Sequence, residues 1–179
     1  PFGGEWHHGL LPSERTAMDI GIIGCGNIGG TLARKLAALG HRVCIANSRG
    51  PDSLASLAAQ SGATAVTVEQ AAAAKDLVII AIPQNAVPDL PGHALKATSA
   101  VVVDTGNYYP SRDGPIAGID DGLTDSGWVA KVLGRPIVKA FNNIVAGNLA
   151  ARAAPAGDPR RICLSVAGDD AGAKETVQN

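Results

Sequence analysis

Residues 19–30 read DIGIIGCGNIGG, an apolar run that breaks into glycines and then into a helix-like stretch. Within it, Gly24-Cys25-Gly26-Asn27-Ile28-Gly29 has the form G-x-G-x-x-G. In a chain with 22 glycines that hexamer says little alone; its neighbours give it meaning. A strand-like run precedes it. After it, Leu32, Leu36 and Leu39 share one face of a helical segment over 28–39, which Gly40 stops. That context predicts a strand–turn–helix unit built to cradle a pyrophosphate. Gly24 permits the tight turn, Gly26 lets a phosphate approach the backbone, and Gly29 lets the helix pack closely on the strand. The N–H groups of the helix start, at Asn27 and Ile28, are then available to the anion.

The same alternation continues outward. RVCIAN (42–47) is a buried-strand run, and PDSLASLAAQ (51–60) reads as a helix with Pro51 in its first turn. A weaker strand follows at 63–68, a short helix at 69–74 and a strong strand at 76–82. Beyond a polar, proline-broken region come a strand at 100–104, a long loop over 106–121 and a helix at about 123–133. The strand PIVKAF, a short helix near 144–152, a strand at 161–168 and a closing helical stretch complete the pattern. Apolar strands without strict alternation, separated by helices, predict a parallel sheet covered on both faces. The fold class expected is α/β: a doubly wound, mostly parallel sheet of Rossmann type, with ligands at the carboxyl ends of the strands.

This domain is expected over residues 18–179. Residues 1–17 carry no clear period and no signal-peptide core, so they read as a leader or tag ahead of Met18. His7 and His8 fall in that segment and receive no metal role. The closing helical stretch implies a C-terminally incomplete fold, with the last strands expected beyond Asn179.

Composition narrows the function classes. With 179 residues, 46% of them hydrophobic, the chain suits one domain with a substantial core. A net charge of −1 gives no electrostatic case for nucleic acid or an anionic membrane surface. No apolar run approaches the roughly 18 residues that span a bilayer. Cys25, Cys44 and Cys163 form no C-x-x-C, which argues against a disulfide framework or a metal site and for a reduced, cytoplasmic setting.

The end of the second strand selects the cofactor. A domain for NAD usually places Asp or Glu there, to accept from the ribose hydroxyls. This chain has Asn47-Ser48-Arg49. An amide, a hydroxyl and a guanidinium can all donate to a 2′-phosphate that a carboxylate would repel, and Arg49 supplies a planar fork suited to it. The expected cofactor is NADP, or NADPH in its reduced form.

With these motifs in hand, the chain from Met18 onward resembles the NADPH-dependent coenzyme F420 reductases, the deazaflavin–NADP oxidoreductase family. GIIGCGNIGGTLARKLAALGH, ANSRGPDSL, VIIAIP with VVVDTGNYYPSRDG, and GRPIVKAFNNI carry the likeness. The resemblance implies a cytoplasmic, homodimeric enzyme that passes hydride between NADPH and a small-molecule acceptor, the deazaflavin coenzyme F420 or a flavin-like ring. It further implies that Ile82 and Pro83 border the cofactor, and that Asn107, Ala140, Phe141 and Asn142 lie near the nicotinamide and the incoming ring. DTGNYYPSRDG is a longer insertion than that family's pattern suggests.

No residue presents itself as a catalytic acid or base. His41 is expected in an exposed loop away from the glycine turn, and His93 has no evident partner. Tyr108 and Tyr109 are better placed, as walls of a pocket. Lys139 resembles the lysine of the lysine–asparagine pair in β-hydroxyacid dehydrogenases, but it lies on a strand with Asn142 and Asn143 three and four residues on. It therefore reads as structural or cofactor-flanking. Cys25 reads as small filler between glycines. Hydride transfer to a deazaflavin needs chiefly the alignment of two rings, which suits this absence. The alternatives are an NADPH-dependent reductase of an imine, a ketone or ferric iron, or a non-catalytic NADP-binding sensor.

Overall fold

A computed structural model describes residues 17–155 and 157–178, so the leader reading of 1–17 lies almost wholly outside the described residues. Its first unit is β1 (Asp19–Ile23), the glycine turn and α1 (Asn27–Ala38). β2 (Arg42–Ala46) leads through a 3-10 turn at Pro51–Leu54 into α2 (Ala55–Ser61), then β3 (Thr64–Ala65) and α3 (Val68–Ala72). Thr67 and Gln70 form a reciprocal capping box at the start of α3. β4 (Leu77–Ile80), a 3-10 segment at Gln84–Asp89 and α4 (Gly92–Ala97) follow. β5 (Val101–Asp104), α5 (Pro110–Asp113), α6 (Ala117–Asp120) and α7 (Asp125–Leu133) come next. β6 (Val138–Ala140), α8 (Ala146–Ala151), β7 (Val166–Ala167) and α9 (Ala171–Gln178) complete the described chain.

The strands form one sheet in the order β3-β2-β1-β4-β5-β6-β7, parallel throughout except for β7, which runs antiparallel to β6. Because successive residues of a strand face opposite ways, each strand feeds two cores. Ile20, Ile22, Ile45, Ile79 and Val103 pack beneath α1 with Leu32 and Ala33. Ile23, Val78, Ile80 and Val102 pack on the other face against Ala71, Leu95, Val129 and Leu133. Both faces are covered, which is why the strands read as continuous apolar runs. Gly21 in β1 is a packing glycine: a Cβ there would collide with the Ala71 backbone of α3.

Four expectations change. The weak strand at 63–68 shrinks to β3, and that at 161–168 to β7. Both lie at sheet edges, where hydrogen bonds from one side only support short pairing. The region between β4 and β5 holds α4, anchored by Arg135, whose guanidinium donates to the carbonyls of Leu95 (2.6 Å), Thr98 (2.9 Å) and Ala100 (2.8 Å). The expected loop over 106–121 contains α5 and α6.

The order reverses between β1 and β4, and the carboxyl ends of these strands open a crevice at that switch point.

Candidate active site

The glycine turn closes this crevice from one side. Gly24 has φ +98°, in the left-handed region that side chains avoid, and a Cβ there would meet the Ala81 carbonyl. A Cβ on Gly29 would overlap the carbonyl oxygen of Gly24, so α1 could not approach β1 so closely with any larger residue. A Cβ on Gly26 would meet nothing within 4 Å; it faces open space, where an anion can reach the backbone. α1 begins with no side-chain cap and no acid in its first turn, which leaves its first N–H groups and the positive end of its dipole to an anion.

Two cavities meet at this turn, sharing Gly26, Ala81, Ile82 and Pro83. The first, of about 770 Å³, runs from Gly24 past Asn47, Ser48 and Arg49 to a far wall that includes Glu69 and His93. The second, of about 550 Å³, is lined by Asn27, Ile28, Asn107, Phe141 and Asn142 on the side of β5 and β6. The crevice thus brings together twelve of the fourteen residues singled out in the sequence. Gly29 and Ala140 line neither cavity. Gly29 is buried behind the turn, and Ala140, 1% exposed, belongs to the core beneath β6.

At the end of β2 the three polar residues divide their labour. Asn47 holds the turn: its Oδ1 accepts from the Arg49 N–H (2.9 Å), and its Nδ2 donates to Ser53 Oγ (3.0 Å). Ser48 and Arg49 are exposed on the first cavity, so the donors that reach outward are a hydroxyl and a guanidinium. Cys25 also borders this cavity, half-buried. Its Sγ lies 3.4 Å from the Ala46 carbonyl oxygen, and burial pushes the thiol up to about 11 despite that contact and the nearby Arg49 charge. A thiol so far above neutrality is not a nucleophile.

Beneath the second cavity lies a buried polar layer. Lys139 Nζ is 2.6 Å from Asp104 Oδ2, and Asp104 Oδ1 accepts from the Gly106 N–H at 2.9 Å. Gln84, wholly buried, packs against Gly106, where a Cβ would come within 2.6 Å of the glutamine oxygen. Above this layer Asn107 Nδ2 donates to the Asn142 carbonyl (2.8 Å), joining the loops that follow β5 and β6. Phe141, between them, has φ +63°, the one positive φ at a non-glycine residue among those described. Strained backbone of this kind concentrates at functional sites.

A family of coenzyme F420-dependent NADP oxidoreductases matches residues 19–108, half of the chain, including the glycine turn, Arg49 and Asn107. The chain belongs to that family. A segment of 82 residues is 40% identical to erythronate-4-phosphate dehydrogenase of Salinibacter ruber, covering 46% of this chain and 20% of that protein; the chain thus matches about one fifth of that relative. A hypothetical protein from Sinorhizobium meliloti superposes with TM-score 0.72 and 32% identity, over 92% of this chain and 80% of that one. A protein from Arthrobacter sp. FB24, provisionally described as an F420-dependent NADP-reductase, gives TM-score 0.72 at 24% identity, over 90% of this chain and 78% of its own. The last likeness shows the shared fold.

The match to the oxidoreductase family ends at Tyr108, and the two tyrosines there part company. Tyr108 turns away from the cavity. Its hydroxyl accepts from the Ile116 N–H (3.2 Å) and lies 3.0 Å from both the Gly114 carbonyl and Asp120 Oδ1. Desolvation, with the Asp120 contact and charge, holds the phenol above its ordinary range, so it serves as a pin for the 114–120 segment. Tyr109 lines the second cavity beside Arg112, a residue that reading the sequence missed. No signal in the RDG at 112–114 singles it out, because the acidic neighbour that holds it, Asp113, is buried only in the folded chain. His41, expected in an exposed loop, is half-buried and accepts from the Met18 N–H at 3.1 Å, away from the crevice.

Proposed function

We propose that this member of the F420-dependent NADP oxidoreductase family transfers hydride between NADPH and a small-molecule redox acceptor, with the deazaflavin coenzyme F420 or a flavin-like ring in the acceptor's place. The observation that carries the reading is the pair of cavities meeting at Gly26, one edged by Ser48 and Arg49, the other by Asn107, Phe141 and Asn142. The glycine turn and the start of α1 suit a pyrophosphate at the junction. Ser48 and Arg49 suit a ribose 2′-phosphate in the first cavity, and no carboxylate stands at the end of β2 to oppose it.

In the second cavity the roles are positional. Ile82 and Pro83 supply an apolar border, and the Asn107–Asn142 bridge fixes the distance between its walls. When bound, NADPH supplies the hydride from its nicotinamide ring. The protein's contribution is to hold that ring and the acceptor within reach of each other and to exclude water. The reading includes a cytoplasmic, homodimeric protein; no helix among the described residues is long and apolar enough to cross a membrane.

The test is to mix the protein with NADPH and oxidised F420 and follow the near-ultraviolet absorbance of reduced nicotinamide. Loss of absorbance that needs both protein and F420 is the expected result. Tight NADPH binding with no turnover of F420, flavins, imines, ketones or ferric complexes would favour a sensor and sink the reductase reading.

A further inference from the structure

Among the described residues, Arg112 is the only cationic side chain lining the second cavity, and no acidic side chain lines it. Its guanidinium is held on three sides. Nε donates to Asp113 Oδ1 (2.9 Å), and Nη2 donates to both Asp113 Oδ2 (2.8 Å) and the Asn107 carbonyl (2.7 Å). The Asp113 side chain is fully buried and accepts also from the Tyr109 N–H at 2.9 Å, so the carboxylate is itself fixed. The guanidinium carbon stands 5.1 Å from the centroid of the Tyr109 ring. What remains is Nη1. Both of its N–H groups lack a hydrogen-bond partner among the described residues, and 43% of the arginine side chain is exposed.

We propose that Arg112 anchors the redox acceptor: Nη1 donates to an oxygen of the acceptor and stabilises the negative charge that reduction leaves there. The inference rests on the reductase reading above. A hydride brings two electrons and one hydrogen from nicotinamide carbon to acceptor carbon, breaking one C–H bond and forming another. NADP⁺ is left on one side and, on the other, an acceptor carrying one more negative charge until water protonates it. With Tyr108 turned away and no histidine or lysine in the cavity, that charge has to be met by a fixed dipole or cation. A guanidinium oriented in advance does this without reorganising. Because Nη2 and Nε are already committed, the free edge suits one oxygen rather than a bidentate carboxylate. The acceptor class is therefore a conjugated ring or carbonyl compound whose oxygen shares the charge of reduction. The phosphates of the dinucleotide have Arg49 and the start of α1 and do not need Arg112.

The test uses the full chain, its Arg112→Gln variant, and the Arg112→Gln/Asp113→Asn double variant, which leaves no buried carboxylate unpaired. NADPH affinity is read by nicotinamide fluorescence, binding of oxidised F420 to the NADP⁺ complex by quenching of deazaflavin fluorescence, and turnover by absorbance. Expected are an NADPH affinity within twofold of wild type in both variants, F420 binding at least tenfold weaker, and kcat/KM reduced a hundredfold or more. Unchanged F420 binding and turnover in the double variant overturns the proposal alone. A loss of NADPH affinity with F420 binding intact assigns Arg112 to the dinucleotide and overturns it too. Wild-type protein that binds NADPH yet neither binds nor reduces F420 overturns the deazaflavin reading together with the proposal.

Discussion

Asp104 and Lys139 are direct partners across adjacent parallel strands, and their side chains form a buried ion pair of 2.6 Å. Asp104 ends β5 and Lys139 lies one residue before the end of β6, below the loops that carry Asn107 and Asn142. Asp104 spends its second oxygen on the Gly106 N–H, so the pair ties the ion bridge to the turn that presents Asn107. The lysine that resembled a catalytic one is thus a floor joist of the cavity.

Breaking this pair from one side strands a buried charge. Lys139→Met should lower unfolding stability by about 3–5 kcal/mol, read by urea denaturation. Adding Asp104→Asn removes the orphaned charge while retaining an acceptor for Gly106, and most of the loss should return. A single variant as stable as wild type would refute the structural role.

Arg49 is exposed at the end of β2, and a charge-assisted hydrogen bond to a phosphate there would be worth about 1.5–3 kcal/mol. Arg49→Ala should weaken NADPH binding by roughly 10- to 100-fold and leave the weak binding of NADH unchanged. Isothermal titration with both dinucleotides separates the cases, and equal loss for both would show that Arg49 does not read the 2′-phosphate.

Burial sets the Cys25 thiol near 11, so at neutral pH it stays protonated. Alkylation by iodoacetamide should be slow at this residue compared with exposed Cys163, as peptide mass mapping can measure. Cys25→Ala should leave NADPH affinity and turnover unchanged. Rapid labelling of Cys25 would contradict its packing.

Hydrogen bonds from Arg112 hold the Asp113 carboxyl below its ordinary range, with the Tyr109 N–H and the arginine's charge adding to the effect. A depressed folded-state pKa means stability that is full above the unfolded value, about 4, and is lost as pH falls through the folded value. Asp113→Asn should therefore melt below wild type at neutral pH. The gap should narrow as the pH drops below about 4, because wild type is then losing the same charge. A gap that stays constant down to strongly acidic pH would place its origin elsewhere.

The sequence by itself determined the parts whose physics is local. Residues 19–30 carry a strand, a turn that only glycine can make and a helix start, all specified within a dozen neighbours. Asn47, Ser48 and Arg49 likewise declare an end of strand without a carboxylate, and the apolar runs of β4 and β5 declare a sheet buried on both faces. What the tertiary structure alone decided depends on partners far apart in the chain. Asp104 with Lys139 and Asn107 with Asn142 are each 35 residues apart and meet only because β5 pairs with β6. Tyr108 and Tyr109 are adjacent and equivalent on paper; the packing of 114–120 against one of them sends the other into the cavity. Arg112 acquires its direction from a buried neighbour, and burial is a property of the folded chain rather than of the dipeptide.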